Sequence, residues 1–559
     1  MISLGISVGH DMGAVLIKDG KIIVGISEER ITRIKSYGGY QHLLPKNSMK
    51  YCVEAAGMEF KDIDRFIYST TELPDDYSVE FEKITGLDHS RLEFIPHHLA
   101  HAFSTFYSSG FEDSAVLVVD ASGSEVAPGS KANAWFSEKN PNDLPDNLRL
   151  AEAVTIFHFK NGSYEETYKK WIKMSDEGYK GGGVSVGIMY GTGAMQLVYD
   201  PANHSWPAGK LMGLASYADK EFVNQYPDFV ELLDNDVFIP FGEVPSDGVN
   251  YLSDFQSKAN VAGVYQREQE RLLLYFVSMA NRIVNSKNLC VAGGSFLNCN
   301  SNELIEKYDG FENKYYLPSS DDSGIPLGCA WYGQNSDGSL RKGEYLKPYL
   351  GKKYTNEEVT KAFFESGLSD IEFQEYVNWE DLLDQVSESI IENKVIGWFQ
   401  DGSETGPRAL GNRSILGNPA SKWVERYINS EIKNREWYRP FAPSVLEEHR
   451  KEIFELDCFS PYMLITTEVK EEWREKIPGV THIDNTSRYQ SVTAEMNPKY
   501  HSLISKFYEK TGIPLLLNTS FNGKGEPIVE SPEDAIRSFY HNNLHMVVIN
   551  NIIVQRRRN

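Results

Sequence analysis

The sequence predicts an α/β protein of two linked domains, and three observations predict it. The chain has 559 residues, which at roughly 100–200 residues per domain is more than one core. ISLGISVGHDMGAVLI near the start and AVLVVDASGS further on share one plan, an apolar strand running into a polar turn that holds Asp and Gly. Two such units suggest duplicated lobes with a cleft between them. The last stretch reads as strand PLLLN, loop TSFNGKGEP, helix PEDAIRSFY and strand HMVVINNIIV, a second α/β domain of ordinary size.

Composition sets the outer limits. Hydrophobic residues make up 41% and charged residues 24%, with 79 Asp+Glu against 56 Lys+Arg and a formal net charge of −23. That is a soluble globular composition, and a field of that sign repels a phosphate backbone and an anionic leaflet alike. Neither nucleic acid nor membrane is an expected partner. The five cysteines form no C-x-x-C pair, which argues against a disulfide scaffold and a zinc ribbon. MISLGISVGHDMG has no basic leader, and no window approaches the roughly 18 apolar residues of a spanning helix. A reduced, cytoplasmic protein is the expectation.

Element by element, ISLGISV, AVLIK and IIVGIS are strands, the last two joined by a D-G turn at Asp19-Gly20. NSMKYCVEAAGM has helical periodicity and stops at Gly57. IDRFIYST is a strand, and FHFKNGSYEETYKKW within residues 128–180 is a hairpin-bearing insertion. Gly181–Gly183 then permit backbone conformations other residues resist, as a hinge or a loop. QREQERLLLYFVSMANRIVNS is a long helix, and LCVAGGSFLNCN a strand. SDGSLRKGEYLKPYLGKKYTNEE marks a boundary, dividing the chain at 1–350 and 351–559. WEDLLDQVSESIIEN (helix) and VIGWF (strand) follow it.

The sharpest local feature is His97-His98-Leu99-Ala100-His101. Residues four apart share a helix face, so His97 and His101 can bind one ion while His98 points elsewhere, although surface or core histidines have the same spacing. Asp120 closes its strand, and Asp321-Asp322 occupy a second polar turn. Two imidazoles and two carboxylates would form an N₂O₂ site suited to Fe(II), Mn(II) or Zn(II). Glycine turns at Gly9, Gly123, Gly293-Gly294 and Gly209–Gly213 can each cradle a phosphate or simply turn the chain. P-loop, Rossmann, zincin and serine-hydrolase signatures are missing.

Cationic side chains concentrate near the C-terminus: Arg408 and Arg413 in GPRALGNRSIL, Lys433, Arg435 and Arg439 in IKNREWYRPFAPSVL, and Arg488 in HIDNTSRYQSV. Arginine forks match phosphate and carboxylate oxygens, while the interleaved Glu404, Glu431 and Glu436 would equally support surface ion pairs. Pro407 is placed to open a helix aimed at an anion. Asn518, Ser520 and Asn522 lie at the end of an apolar strand, where α/β ligands tend to sit.

These motifs, in this order, resemble those of the carbamoyltransferases of natural-product and nodulation-factor biosynthesis. GHD, SEERITRIK, HHLAHAFSTFY, the Asp120 turn, GKLMGLASY, VAGGSFLNC and DDSGIPLG match in the first part. GPRALGNRSIL, NREWYRPFAPSVL, HIDNTSRYQSV and PLLLNTSFNGKGEPIVESPEDAI match in the second. The resemblance implies an actin-like ATPase (ASKHA) N-terminal domain with duplicated lobes and a YrdC-like C-terminal domain. It implies that carbamoyl phosphate and ATP, with Mg(II), form carbamoyl adenylate in the latter. The carbamoyl group then passes to a hydroxyl of a small-molecule acceptor at a metal, Fe(II) in the family, with Mn(II) or Zn(II) as alternatives. By motif match His97, His101, Asp120 and Asp322 become the metal ligands, and Lys210, Gly213, Gly293, Gly294 and Asn298 nucleotide-binding residues. Arg408, Arg413, Lys433, Arg435, Arg439, Arg488, Asn518, Ser520 and Asn522 become the carbamoyl-phosphate and adenylate site. A homodimer is implied as well. His10 and Asp11 are candidates for positioning or deprotonating the acceptor hydroxyl, a task that suits a histidine near neutral pKa.

Two departures from the family pattern bear on the acceptor: Met12 follows the first His-Asp where small residues are usual, and Thr405 stands in place of an aromatic. A sugar-kinase-like ATPase is the rival enzyme, and it leaves the C-terminal arginines without a task. A tRNA-modifying transferase conflicts with the net charge, and a non-catalytic scaffold needs none of the matched His, Asp and Arg positions.

Overall fold

The computed structural model describes residues 1–36, 43–71, 77–127, 134–136, 148–175, 178–179, 183–199, 207–234, 236–240, 254–335 and 343–557. Two of the three glycines at 181–183 and much of 128–147 therefore lie outside the described residues. The chain divides into two compact units, residues 1–32 with 36–346, and residues 33–35 with 347–559.

The first unit contains two sheets built on one plan. β1 (Ile2–Val8), β2 (Gly13–Lys18) and β3 (Lys21–Ser27) form an antiparallel meander. Its second turn holds Asp19 at φ +50° and Gly20 at φ +75°, the left-handed conformations that a D-G turn supplies. β4 (Arg65–Thr70) runs parallel to β1, and β5 (Leu92–Phe94) parallel to β4, in the order β3-β2-β1-β4-β5.

The second sheet comprises β6 (Asp113–Val119), the short β7 (Glu125–Val126), β8 (Leu148–Lys160), β9 (Ser163–Ser175) and β10 (Gly178–Tyr179). β11 (Glu231–Leu232) and β12 (Val237–Phe238) form a separate ribbon, and β13 (Asn288–Ala292) and β14 (Asn313–Tyr316) return to the sheet. Its path β9-β8-β6-β13-β14 repeats the first sheet in order and in strand sense. This is the duplication that the paired strand-turn segments predict.

Helices follow the apolar periodicity: α1 (Glu28–Thr32), α2 (Lys46–Ala55), α3 (Ser78–Thr85), α4 (His97–Ser109), α5 (Val186–Val198), α6 (Ala208–Ala215), α7 (Lys220–Gln225), α8 (Phe255–Ile283), α9 (Cys299–Glu306) and α10 (Ile325–Gln334). Each of the 13 residues of α4 is buried. The helix packs on β6 and β13, while α10 packs on β1 and β4 and against α4. A Cβ on Gly328 would lie 1.8 Å from the Ala100 carbonyl oxygen, so only glycine allows α10 this close to α4. Gly328→Val should cost more than about 3 kcal/mol in denaturant unfolding.

The second unit is a mixed sheet of β15 (Ile371–Glu375), β16 (Ile396–Phe399), β17 (Arg413–Gly417), β18 (Ala442–Leu446), β19 (Ile465–Glu468), β20 (Thr486–Val492), β21 (Leu515–Ser520), β22 (Met546–Ile549) and β23 (Ile552–Arg556). The order is β15-β23-β22-β16-β17-β21-β18-β20-β19. Phe399, Leu515 and Leu517 belong to one core cluster and Ile396, Trp398 and Leu516 to another. Burial on both faces is why VIGWF and PLLLN read as unbroken apolar runs.

Two readings are corrected here. HMVVINNIIV is a hairpin rather than one strand, because Asn550 turns the chain at φ +54°. Pro407 opens no helix: residues 405–412 are an irregular loop held by Glu404, whose Oε1 accepts the N–H groups of Leu410, Asn412 and Arg413. No described helix is long and apolar enough to cross a membrane.

Candidate metal centre and anion site

α4 begins directly after Pro96, which offers no side-chain cap. The four-residue spacing of His97 and His101 puts both rings on one face. Their Nε2 atoms lie 3.4 and 3.1 Å from Asp120 Oδ2, at the end of β6, and 3.3 and 3.6 Å from Asp322 Oδ1, in the turn between β14 and α10. All four donor atoms fall within 4.8 Å of one another. Ligands about 2.0–2.2 Å from one centre, at tetrahedral or octahedral angles, stand roughly 3.0–3.5 Å apart, so the four residues fit a divalent ion. The two nitrogens and two oxygens suit Fe(II), Mn(II) or Zn(II).

The charges agree with that geometry. Burial opposes a charged ring, yet Asp322 and Asp120 hold His97 up to about 10 and His101 above its usual value. Burial opposes ionisation of Asp322, but the two histidines hold it at about 2, and they hold Asp120 well below the carboxylate range. The two carboxylates, one buried and one largely so, thus require positive charge, from an ion or from protons. His98 points away, its Nδ1 2.8 Å from Thr155 Oγ1, and burial lowers it to about 3. Asp321 takes a hydrogen bond from Ser323, and burial together with Asp322 raises it to about 6. Asp322 is therefore the member of the pair that meets the histidines.

The residues expected to hold nucleotide separate into two kinds. Gly293 has φ +100°, and a Cβ there would lie 2.2 Å from the Val119 carbonyl. Its N–H donates to the Ser320 carbonyl (2.8 Å) and that of Gly294 to Asp120 Oδ1 (3.3 Å), so this turn stands beside the candidate metal centre. The Asn298 side chain is engaged within the protein: Oδ1 caps α9 at the Ser301 N–H, and Nδ2 donates to Gln266 and Gln269. Lys210 and Gly213 are buried on α6, which packs on α8. His10 is exposed in the turn after β1, Asp11 has φ +47°, and Met12 is buried in the core.

In the second unit, Lys433 Nζ donates to the Ser520 carbonyl (2.6 Å) and Oγ (3.2 Å) and to the Asn522 carbonyl (2.9 Å) and Oδ1 (2.6 Å). Burial, then Arg435, Lys35 and Arg439, hold it well below the usual lysine range. Arg435 is lowered by burial and by Arg439 and Arg488, and its guanidinium rests 4.6 Å from the centre of the Phe441 ring. Lys433, Arg435, Arg439, Arg488, Ser520 and Asn522 therefore form one cationic cluster, with Arg408 half-buried in the 405–412 loop.

Arg413 is placed apart. It is fully buried against Phe399 and donates to the carbonyls of Gln400, Asn412, Asp401 and Glu530, closing the loop from within. Asn518 is likewise interior, donating to Ala409 and Ser444.

Comparison with known proteins decides the family. The carbamoyltransferase N-terminus model matches residues 2–84 and 72–331, and the carbamoyltransferase C-terminus model residues 387–556. The chain belongs to the carbamoyltransferase family. It is 32% identical to the nodulation protein NolNO of Sinorhizobium fredii over 98% of this chain and 79% of that one. Identity is 30% to nodulation protein NolO of Bradyrhizobium diazoefficiens, over 82% and 79%. It is 31% to the 3'-hydroxymethylcephem-O-carbamoyltransferase of Streptomyces clavuligerus, over 59% and 61%.

Sequence reasoning overlooked three residues of this carbamoyltransferase. Lys35 adds its charge to the cationic cluster because residues 33–35 belong to the second unit, where Arg33 donates to the carbonyls of Ile528 (2.7 Å) and Pro527 (2.8 Å). SEERITRIK holds the signal, two cations two apart, but nothing local says where they dock. Ser124 and Glu152 anchor α4 and carry no motif.

One titration in the carbamoyltransferase has a clear sign. His482 donates from Nε2 to the Phe441 carbonyl, and burial lowers it from 6.5 to about 4. A depressed histidine stabilises the fold above its unfolded pKa, and that contribution fades as pH falls from about 6.5 toward 4, by about 3 kcal/mol at most. Denaturant midpoints measured across this window should fall more steeply for the wild type than for His482→Gln.

Proposed function

We propose that this carbamoyltransferase catalyses ATP-dependent O-carbamoylation. In the C-terminal unit, read as YrdC-like, one water hydrolyses carbamoyl phosphate to carbamate and phosphate, and a carbamate oxygen then attacks the α-phosphorus of Mg(II)-bound ATP, forming carbamoyl adenylate and releasing pyrophosphate. The N-terminal unit then transfers the carbamoyl group to a hydroxyl of a small-molecule acceptor, releasing AMP. The relatives named for nodulation and for a hydroxymethylcephem support an acceptor of this kind. The observation that carries the reading is the cationic cluster around Lys433, set in a chain of net charge −23.

The chemistry needs both sites. A carbamoyl carbon is a poor electrophile because its nitrogen donates into the carbonyl, and a mixed anhydride with AMP supplies the leaving group. Lys433, Arg435, Arg439 and Arg488 offset the charge of two anionic substrates brought together. His97, His101, Asp120 and Asp322 would hold a divalent ion, which supplies Lewis-acid stabilisation of developing oxyanion charge. The exposed His10 would orient or deprotonate the acceptor hydroxyl, and the left-handed Asp11 fixes its turn.

Incubation with carbamoyl phosphate, ATP and Fe(II), with mass spectrometry for carbamoyl adenylate and an assay for pyrophosphate, tests the reading. Release of ADP alone overturns it and favours the kinase-like alternative. His10→Ala should lower transfer by roughly 10²-fold or more with pyrophosphate release intact; unchanged transfer removes His10 from this role.

A further inference from the structure

The two metal-facing histidines lack the support that such rings commonly have. A ligating imidazole usually donates its second N–H to a carboxylate or carbonyl, which fixes the ring. Nδ1 of His97 and Nδ1 of His101 are both buried without a hydrogen-bond partner among the described residues. Ring placement is therefore inherited from the backbone of α4, and above all from its first turn.

That turn is held from outside the helix. The His97 N–H donates to Ser124 Oγ (2.9 Å), and the His98 N–H to Glu152 Oε2 (3.2 Å). The same carboxylate oxygen accepts the Ser124 N–H (3.1 Å), while Ser124 Oγ donates to the Thr70 carbonyl (3.2 Å) at the end of β4. Glu152 is fully buried, and its Oε1 pairs with Lys169 at 2.7 Å. Lys169 lies over the rings of Phe136 and Trp171.

Glu152 can reach α4 because β8 shifts register against β9 between Glu152 and Val154, a bulge that re-aims the side chain. The bulge also touches a second ligand-bearing element, since the Asp120 N–H donates to the Ala153 carbonyl at 3.2 Å.

We propose that Glu152, acting through Ser124 and the first turn of α4, is the positioning residue of the metal centre. It sets the separation of the histidines from Asp120 and so tunes affinity for the ion. The proposal rests on the reading of His97, His101, Asp120 and Asp322 as ion ligands. Glu152 touches neither substrate nor ion; it supplies the oxygen cap that Pro96 cannot.

Co(II) binding to the full-length, metal-free chain tests this, by calorimetry and by the visible absorption of the bound ion. Glu152→Ala combined with Lys169→Met removes the cap together with its buried cation, and the other carboxylate that pairs with Lys169, Glu166, is exposed to water. It should weaken Co(II) binding by roughly 10-fold or more and alter the spectrum, with far-UV circular dichroism unchanged. Glu152→Gln combined with Lys169→Met retains an acceptor oxygen at the same charge and should recover most of the affinity.

An alanine double variant that binds Co(II) with wild-type affinity and spectrum overturns the proposal, as does a glutamine pair no better than the alanine pair. Should the alanine pair not fold, Ser124→Ala gives the same readout and Ser124→Thr the rescue. A wild-type chain that takes up no Co(II) overturns the metal reading and the proposal with it. Wild-type binding matched by the variants overturns the proposal alone.

Discussion

His101→Ala should abolish carbamoyl transfer, by about 10³-fold or more, while carbamoyl-phosphate-dependent pyrophosphate release continues. His101 is fully buried, and its Nε2 lies 3.1 Å from Asp120 Oδ2. Deleting it removes one of four donors and leaves Asp120 and Asp322 facing a single imidazole. Affinity for a divalent ion should fall by at least about 10²-fold, and the carboxylates should shift toward protonation. The buried volume lost adds roughly 2–4 kcal/mol of destabilisation, so the assay belongs at a temperature well below the variant's midpoint. Product analysis decides the matter. Equal loss of pyrophosphate release and transfer would mean that the centre does not serve the second step alone, and unimpaired transfer would remove it from the mechanism.

Lys433→Met should have the opposite profile: carbamoyl adenylate formation down by about 10²–10³-fold, with Co(II) binding to the N-terminal unit unchanged. Lys433 is buried among Arg435, Lys35 and Arg439, with Glu526 as the opposing acid. Its ammonium is costly to bury, but it also satisfies oxygens of Ser520 and Asn522. The two effects offset, and stability should move by no more than about 1–2 kcal/mol. Activity lost from a folded chain is what an anion-binding lysine predicts. A purely structural lysine predicts an unfolded one. Adenylate formation at the wild-type rate would exclude Lys433 from the site.

How much of this was legible depended on whether the information is local. The spacing of His97 and His101 states a shared helix face before any fold is known, and an Asp at the end of an apolar strand states a turn. The repeated strand-turn plan foretold two sheets of one topology. The pairing of Asp322 rather than Asp321 with the histidines came from the motif match, not from local spacing, because adjacent residues in a turn point in different directions.

Arg413 and Asn298 show how a motif match leaves a side chain's own contacts open. The motif match placed both in ligand sites, and within the protein Arg413 closes a loop and Asn298 caps a helix. Glu152 left no trace at all, since a buried acid on a β-bulge has no pattern in the sequence. Lys35 had a motif but no address, because its partners lie almost 400 residues further along the chain.

The order in which the chain is made gives the metal centre a further property. Its donors run from position 97 to position 322, and the turn beside Asp120 comes from Gly293 and Gly294. His97, His101 and Asp120 lie within 24 residues, but Asp322 and the Gly293-Gly294 turn follow more than 170 residues later, so a nascent chain holds both histidines long before Asp322 exists. Non-local closure of this kind is slow relative to helix formation. An ion held by these four residues would therefore enter late in folding, after β14 has docked beside β13, and a fragment ending before position 322 should be blind to it.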